Sequence, residues 1–175
     1  MIGTNPAAEA GRRRVNLDEM IQSSAWARQL PPQALSRVLA SVESRSVRPG
    51  DVVATAGGHL SHWMGVIEGL VAINVISADG RQSILTAVAP GSWFGEGSLL
   101  RREPRRYGVF AVQATTLAMV PLHVFGWLYR TSIEFNNFLV EALYDRLSQC
   151  VGLLEHDRLR RGGSRVERRL ACLLA

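Results

Sequence analysis

The chain has no lysine. All 20 of its basic side chains are arginine, set against 15 acidic ones. An arginine-only complement reads as genome composition rather than as selection at each site, and the net charge of +5 is modest. The charge is nonetheless clustered. Arg101, Arg102, Arg105 and Arg106 share one loop, and Arg158, Arg160, Arg161, Arg165, Arg168 and Arg169 crowd the C-terminal end. Such clusters are anion sites or solvated faces, and Arg101, Arg102 and Arg105 read as the latter.

Cysteine is nearly absent too. Cys150 and Cys172 have neither CxxC nor metal-ligand spacing, which removes a disulfide framework and an iron-sulfur cluster. Apolar runs such as Leu117 to Leu122 fall far short of the roughly 18 residues a membrane helix needs. Arg12, Arg13 and Arg14 are followed by Val15, Asn16, Leu17, Asp18 and Glu19 instead of the apolar core of a secretion signal, so the expected location is the cytoplasm. There is no GxSxG, P-loop or HExxH motif and no carboxylate pair at diagnostic spacing, so nothing points to an enzyme. The 175 residues, 47% hydrophobic and 20% charged, suit one globular domain with an appendage.

Hydrophobic periodicity divides the chain. Residues 1–16 carry no period and read as a disordered tail. Leu17, Met20, Ile21 and Ala25 share a helical face, with Asn16 and Glu19 as a capping pair, and Pro31-Pro32 start a second helix over 33–42. From Val47 to Val120 the period is two, interrupted by Pro49-Gly50-Asp51, Gly57-Gly58, Glu68-Gly69, Asp79-Gly80 and Pro90-Gly91. Val71, Ile73 and Val75 alternate inward, and Asp79-Gly80 offers the positive dihedrals of a tight hairpin. Turn signals this regular imply an antiparallel sandwich or barrel, a small β-roll.

After Pro121 the helical period returns. Val140, Leu143, Leu147, Cys150 and Leu154 are spaced by threes and fours along a long helix whose apolar surface needs two partners. One partner is the chain's own β-domain, and the simplest second is a copy of the same helix across a two-fold axis. Gly162-Gly163 form a hinge, and Ser164-Arg165-Val166-Glu167 make a capping box ahead of Leu170, Leu173 and Leu174. That last apolar face lacks a partner within the 175 residues, so the chain reads as a fragment or as a helix that docks on another subunit.

The loop after Phe94 carries the chemistry. Gly95 permits a sharp turn, and Gly97, Ser98 and Leu99 would present free amides at a short helix start, where an anion is favoured. Glu96 suits a ribose hydroxyl, and Arg106 can return across the loop to hold a phosphate with its two-pronged guanidinium. The alternative is that Glu96 and Arg106 form a buried structural ion pair.

These residues, with Ile67-Glu68-Gly69-Leu70-Val71, Asp79-Gly80-Arg81, Pro90-Gly91 and Gly95 through Leu100, resemble the cyclic-nucleotide-binding domain of CRP/FNR-type transcription regulators over residues 20–175. The resemblance implies a mainly β cyclic-nucleotide-binding β-roll with flanking helices (17–130), a dimerisation helix (131–161), and a hinge with the first helix of a truncated winged helix-turn-helix domain (162–175). It further implies cyclic AMP or cyclic GMP at Gly95, Glu96, Gly97, Ser98 and Arg106, a homodimer through Val140, Leu143, Leu147, Cys150 and Leu154, and DNA as the partner of the C-terminal domain. A stand-alone binding or scaffolding module with the same roll is the alternative. The family's cyclic-AMP binders follow the phosphate arginine with Ser or Thr and then Ala. Here Tyr107-Gly108 follow, and Tyr107 reads as a pocket plug or a packing residue.

Other residues take plainer readings. His59 and His62 are a turn pair without the further ligands a metal needs. Cys150 is a small seam residue before it is a redox sensor, and Trp26, Trp63, Trp93 and Trp127 are packing residues.

Overall fold

The structure, a computed structural model, describes residues 17–59, 61–77 and 79–152. The expectations for the 1–16 tail, for the Asn16 cap, for Leu154, and for the hinge and helix after Gly162 therefore lie outside the described residues. The chain divides into two units, 1–135 and 136–175.

The first unit is an antiparallel roll of two four-stranded sheets with flanking helices, as expected from the period-two region. One sheet has the order β1 (Glu43–Val47), β8 (Thr115–Pro121), β3 (His62–Glu68), β6 (Trp93–Phe94). The other runs β2 (Val52–Ala54), β7 (Gly108–Ala111), β4 (Val71–Ile76), β5 (Gln82–Val88). Alternation along each strand sends every second side chain between the sheets. Val47, Met64, Val66, Phe94 and Leu117 from the first sheet thus meet Val53, Val71, Ile73, Val88, Val109 and Ala111 from the second in one buried core.

The opposite face of the first sheet is closed by helices: α1 (17–23), α2 (Ala25–Arg28), α3 (Pro32–Ser41) and α5 (Leu122–Thr131). Trp63, fully buried on β3, stacks on Trp93 at 4.3 Å between ring centroids. Trp26, Phe125 and Phe135 ring Trp63 at 5.4, 5.6 and 5.4 Å. Three tryptophans distant in sequence thus form one aromatic core, while Trp127 lies beneath the Arg37 guanidinium at 4.2 Å. Gly65 is needed between them, because a Cβ there would stand 2.5 Å from the Met20 methyl and 2.9 Å from the Trp93 ring.

Two local expectations need correction. The first amphipathic helix does not carry Ala25 on its buried face: the Ser24 hydroxyl bonds the Met20 carbonyl at 2.7 Å, the helix breaks at Ser24, and Trp26 and Ala27 are buried instead. The β4–β5 turn is wider than a two-residue hairpin. Only Gly80 of the Asp79-Gly80 pair has positive φ, at 78°, and the Ser77 amide bonds the Arg81 carbonyl at 2.9 Å outside it.

A further helix, α6, covers 133–152, where the described residues end. Buried Ser132 caps it, its hydroxyl accepting from the Phe135 amide at 3.1 Å and donating to Glu134 at 2.9 Å. Its own backbone amide first and the Ser132 hydroxyl second hold the Glu134 carboxyl below its ordinary pKa. In the second unit, Val140, Leu143, Leu147 and Cys150 are exposed. Among the described residues no helix is long and apolar enough to cross a membrane.

Candidate functional site

The loop that the sequence singled out folds as a turn into α4 (Glu96–Arg101). Gly95 sits at its N-cap with φ 97°, a conformation open to glycine and strained for other residues. Glu96 is 2% exposed, and Leu99 anchors the short helix to the roll. Gly97 and Ser98 are half-buried on it.

The arginine beside this turn is Arg105, and not Arg106. Arg105 is 4% exposed, so the solvated-face expectation fails for it. Its Nη2 donates to the His62 carbonyl at 3.2 Å, and its own carbonyl accepts from the Gly57 amide at 2.7 Å. Its Nη1 lies 2.9 Å from where a Cβ on Gly95 would stand, so glycine is what lets the guanidinium close on the turn. That Nη1 is buried and has no hydrogen-bond partner among the described residues. Burial pulls the Arg105 pKa down, and the Tyr107 phenol, by charge and hydrogen bonding, and the Glu96 charge oppose it. The guanidinium remains charged because its starting value is so high.

Arg106 points to solvent. Its side chain is 82% exposed and pairs with Glu103 at 3.3 Å, while Arg101 takes the other Glu103 oxygen at 2.7 Å. The buried Glu96–Arg106 ion pair, weighed as an alternative, is thus absent. The chain bends at Arg106 and Tyr107 before β7 begins at Gly108, and Arg105, held by the Gly57 amide and the His62 carbonyl, is the arginine that this path turns inward. Tyr107 packs against the roll core as well as meeting Arg105.

Arg105 also lines a cleft of about 280 Å³ with Arg45, His62, Thr55 and Ser61. His62 has its pKa lowered, first by burial and then by the Arg45 and His123 charges, with Glu43 opposing. It is therefore mostly neutral at pH 7 and gains charge only on acidification. His59 lies in the β2–β3 loop, whereas His62 opens β3, so the two are not a turn pair as the sequence suggested.

What this arrangement can do is bind an oxyanion. A buried charged guanidinium with one unpartnered nitrogen carries a desolvation cost that an incoming oxygen would relieve, and its fork matches a phosphate or carboxylate edge.

Comparison with known proteins places the fold. A family model described as cyclic nucleotide-binding domain matches residues 44–132. No curated protein sequence matches the chain. Among solved structures, the sensor domain of the transcriptional regulator DNR from Pseudomonas aeruginosa is similar at TM-score 0.67 and 22% identity, over 81% of this chain and 94% of that one. The catabolite activator protein of Thermus thermophilus is similar at TM-score 0.64 and 24% identity, over 75% and 62%. The regulatory domain of Toxoplasma gondii PKA, crystallised with cAMP, follows at TM-score 0.59 and 20% identity, over 72% and 46%. Identities this low show a shared fold. The chain spans 63% and 65% of two further matched chains, from Ruegeria pomeroyi and Silicibacter pomeroyi.

Proposed function

Because this chain belongs to the cyclic nucleotide-binding domain family, we propose that it is the effector-sensing and self-associating part of a cytoplasmic CRP/FNR-like regulator that binds DNA through a helix-turn-helix domain beginning near residue 162. Its role is regulatory rather than catalytic. The observation that carries the ligand half is the buried Arg105 guanidinium closed against Gly95 with Nη1 unpartnered. The phosphate of cyclic AMP or cyclic GMP meets Arg105, and Glu96, Gly97 and Ser98 of α4 line the same turn. Tyr107, already in contact with the guanidinium, stands where the ligand must fit, and its bulk sets how large that ligand can be.

The second half rests on the exposed apolar row Val140, Leu143, Leu147 and Cys150, whose three-four spacing is that of a helix seam. Two copies pairing along this row form the homodimer, and Leu154 is the next residue in the sequence spacing. A ligand that binds one arrangement of the dimer more tightly than another shifts the balance between them, and the shift reaches whatever follows the helix.

Sedimentation equilibrium tests both halves together. A self-associating species of twice 19.2 kDa is expected at micromolar concentration. Leu147→Glu should weaken it at least about tenfold by placing two like charges on the seam. By linkage, saturating cyclic nucleotide should change the dimer constant of the wild-type chain. A monomer at all concentrations removes the seam, and a dimer constant indifferent to ligand removes the coupling.

A further inference from the structure

A second concavity, of about 1020 Å³, opens between the β2–β3 loop, the C-terminal end of α4 and one side of α5. This volume is at the upper end of ordinary small-molecule sites. Leu100, Leu122, Phe125 and Tyr129 give it an apolar lining, and Leu122 and Tyr129 are 41% and 48% exposed.

Its charges are unbalanced. Arg102 and Arg130 line it together with His59 and His123. Neither arginine has an ion-pair partner among the described residues. The acid in the lining is Glu103, and both of its oxygens are occupied from outside by Arg101 at 2.7 Å and Arg106 at 3.3 Å. It leaves the positive charge of the cleft uncompensated.

The backbone supports both guanidinium groups. Gly126 on α5 has no side chain, and Arg130 Nη1 lies 3.3 Å from where its Cβ would stand, so the guanidinium folds back over the helix along the cleft. Arg102 ends α4 at φ 55°, the sole non-glycine residue with positive φ among the described residues, at a position where glycine would sit without strain.

We propose that this cleft binds a small amphipathic organic anion, with its apolar body against Leu100, Phe125 and Tyr129 and its acidic group against Arg102 and Arg130. Charge complementarity selects that occupant over a neutral one, because an apolar lining alone would accept either. None of Arg105, Glu96 or Gly95 lines this cleft, so its anion contacts are separate from those proposed for the cyclic nucleotide.

The test is a fluorescence titration of the full 175-residue chain with anilinonaphthalene sulfonate, run beside N-phenyl-1-naphthylamine, a similar apolar body without charge. Saturable binding of the sulfonate at one site per chain is expected. Arg130→Gln should weaken it about tenfold through loss of one charge-assisted contact, and change the neutral dye less than about twofold. Gly126→Leu should weaken both dyes by filling the cleft, while improving the intrinsic helix propensity of α5 so that the fold survives. Arg81→Gln, at an exposed arginine outside the cleft, should leave sulfonate binding unchanged. Equal affinity for the two dyes, sulfonate binding indifferent to both cleft substitutions, or binding that disappears as the chain self-associates would each overturn the proposal, the last by assigning the cleft to a second copy.

Discussion

Arg105→Gln should lower cyclic-nucleotide affinity by about a hundredfold or more, whereas Arg106→Gln should change it less than about threefold. The asymmetry follows from placement. A two-pronged contact between a buried guanidinium and a phosphate supplies two charge-assisted hydrogen bonds, together about 3–4 kcal/mol, and 1.4 kcal/mol is a factor of ten. Arg106 is 82% exposed and its contact is with Glu103 at the surface, where solvent screens both charges. Arg105→Lys should fall between, because lysine keeps the charge and loses the fork. Calorimetric titration with cyclic AMP and cyclic GMP reads all three. Arg105 also ties the chain to the His62 carbonyl at 3.2 Å, so thermal melting of each variant separates loss of ligand from loss of fold. Equal losses from Arg105→Gln and Arg106→Gln in folded proteins would put the phosphate elsewhere.

The largest stability effect is expected at Trp63. Its side chain is fully buried and meets Trp93 of strand β6 together with Trp26, Phe125 and Phe135, which come from helices on both sides of the strand in sequence. Trp63→Ala removes the ring that the other four share and leaves a cavity that a sheet strand cannot collapse to fill. The expected cost is about 3–5 kcal/mol, which lowers Tm by roughly 10–15 °C in a chain of this size. Trp63→Phe should cost less than half as much, since an aromatic face remains for Trp93. A fall in Tm under about 3 °C for the alanine variant would mean that the helices are held to the sheet by something other than this cluster.

Much of the fold was legible because its signals are local. Gly50, Gly57, Gly69, Gly80, Gly91 and Gly95 all adopt positive φ, so the turn residues that bounded the strands were read for the right physical reason. Pro32 opens α3 as its fixed φ allows. The hidden features depend on distant partners. The break at Ser24 answers to a helix that must turn Trp26 toward Trp63, and bulges between Val52 and Ala54 and between Ile73 and Asn74 adjust strands to neighbours that the sequence does not reveal.

At the candidate site, the sequence placed a sharp turn at Gly95, which the structure has, and of two adjacent arginines it named Arg106, which the structure turns to solvent, while the buried one is Arg105. Its burial could not have been read, since it depends on the β2–β3 loop packing over it through the Gly57 amide and the His62 carbonyl.

The most direct test of the ligand site is a nitrogen-15 spectrum of the arginine side chains, with the Arg105 and Arg106 resonances assigned by substitution and followed as cyclic AMP or cyclic GMP is added. The account predicts that the Arg105 guanidinium signal shifts saturably and acquires a coupling to phosphorus, while the Arg106 signal stays in place. A shift at Arg106 with Arg105 unmoved, or no movement of either at millimolar nucleotide, would contradict it.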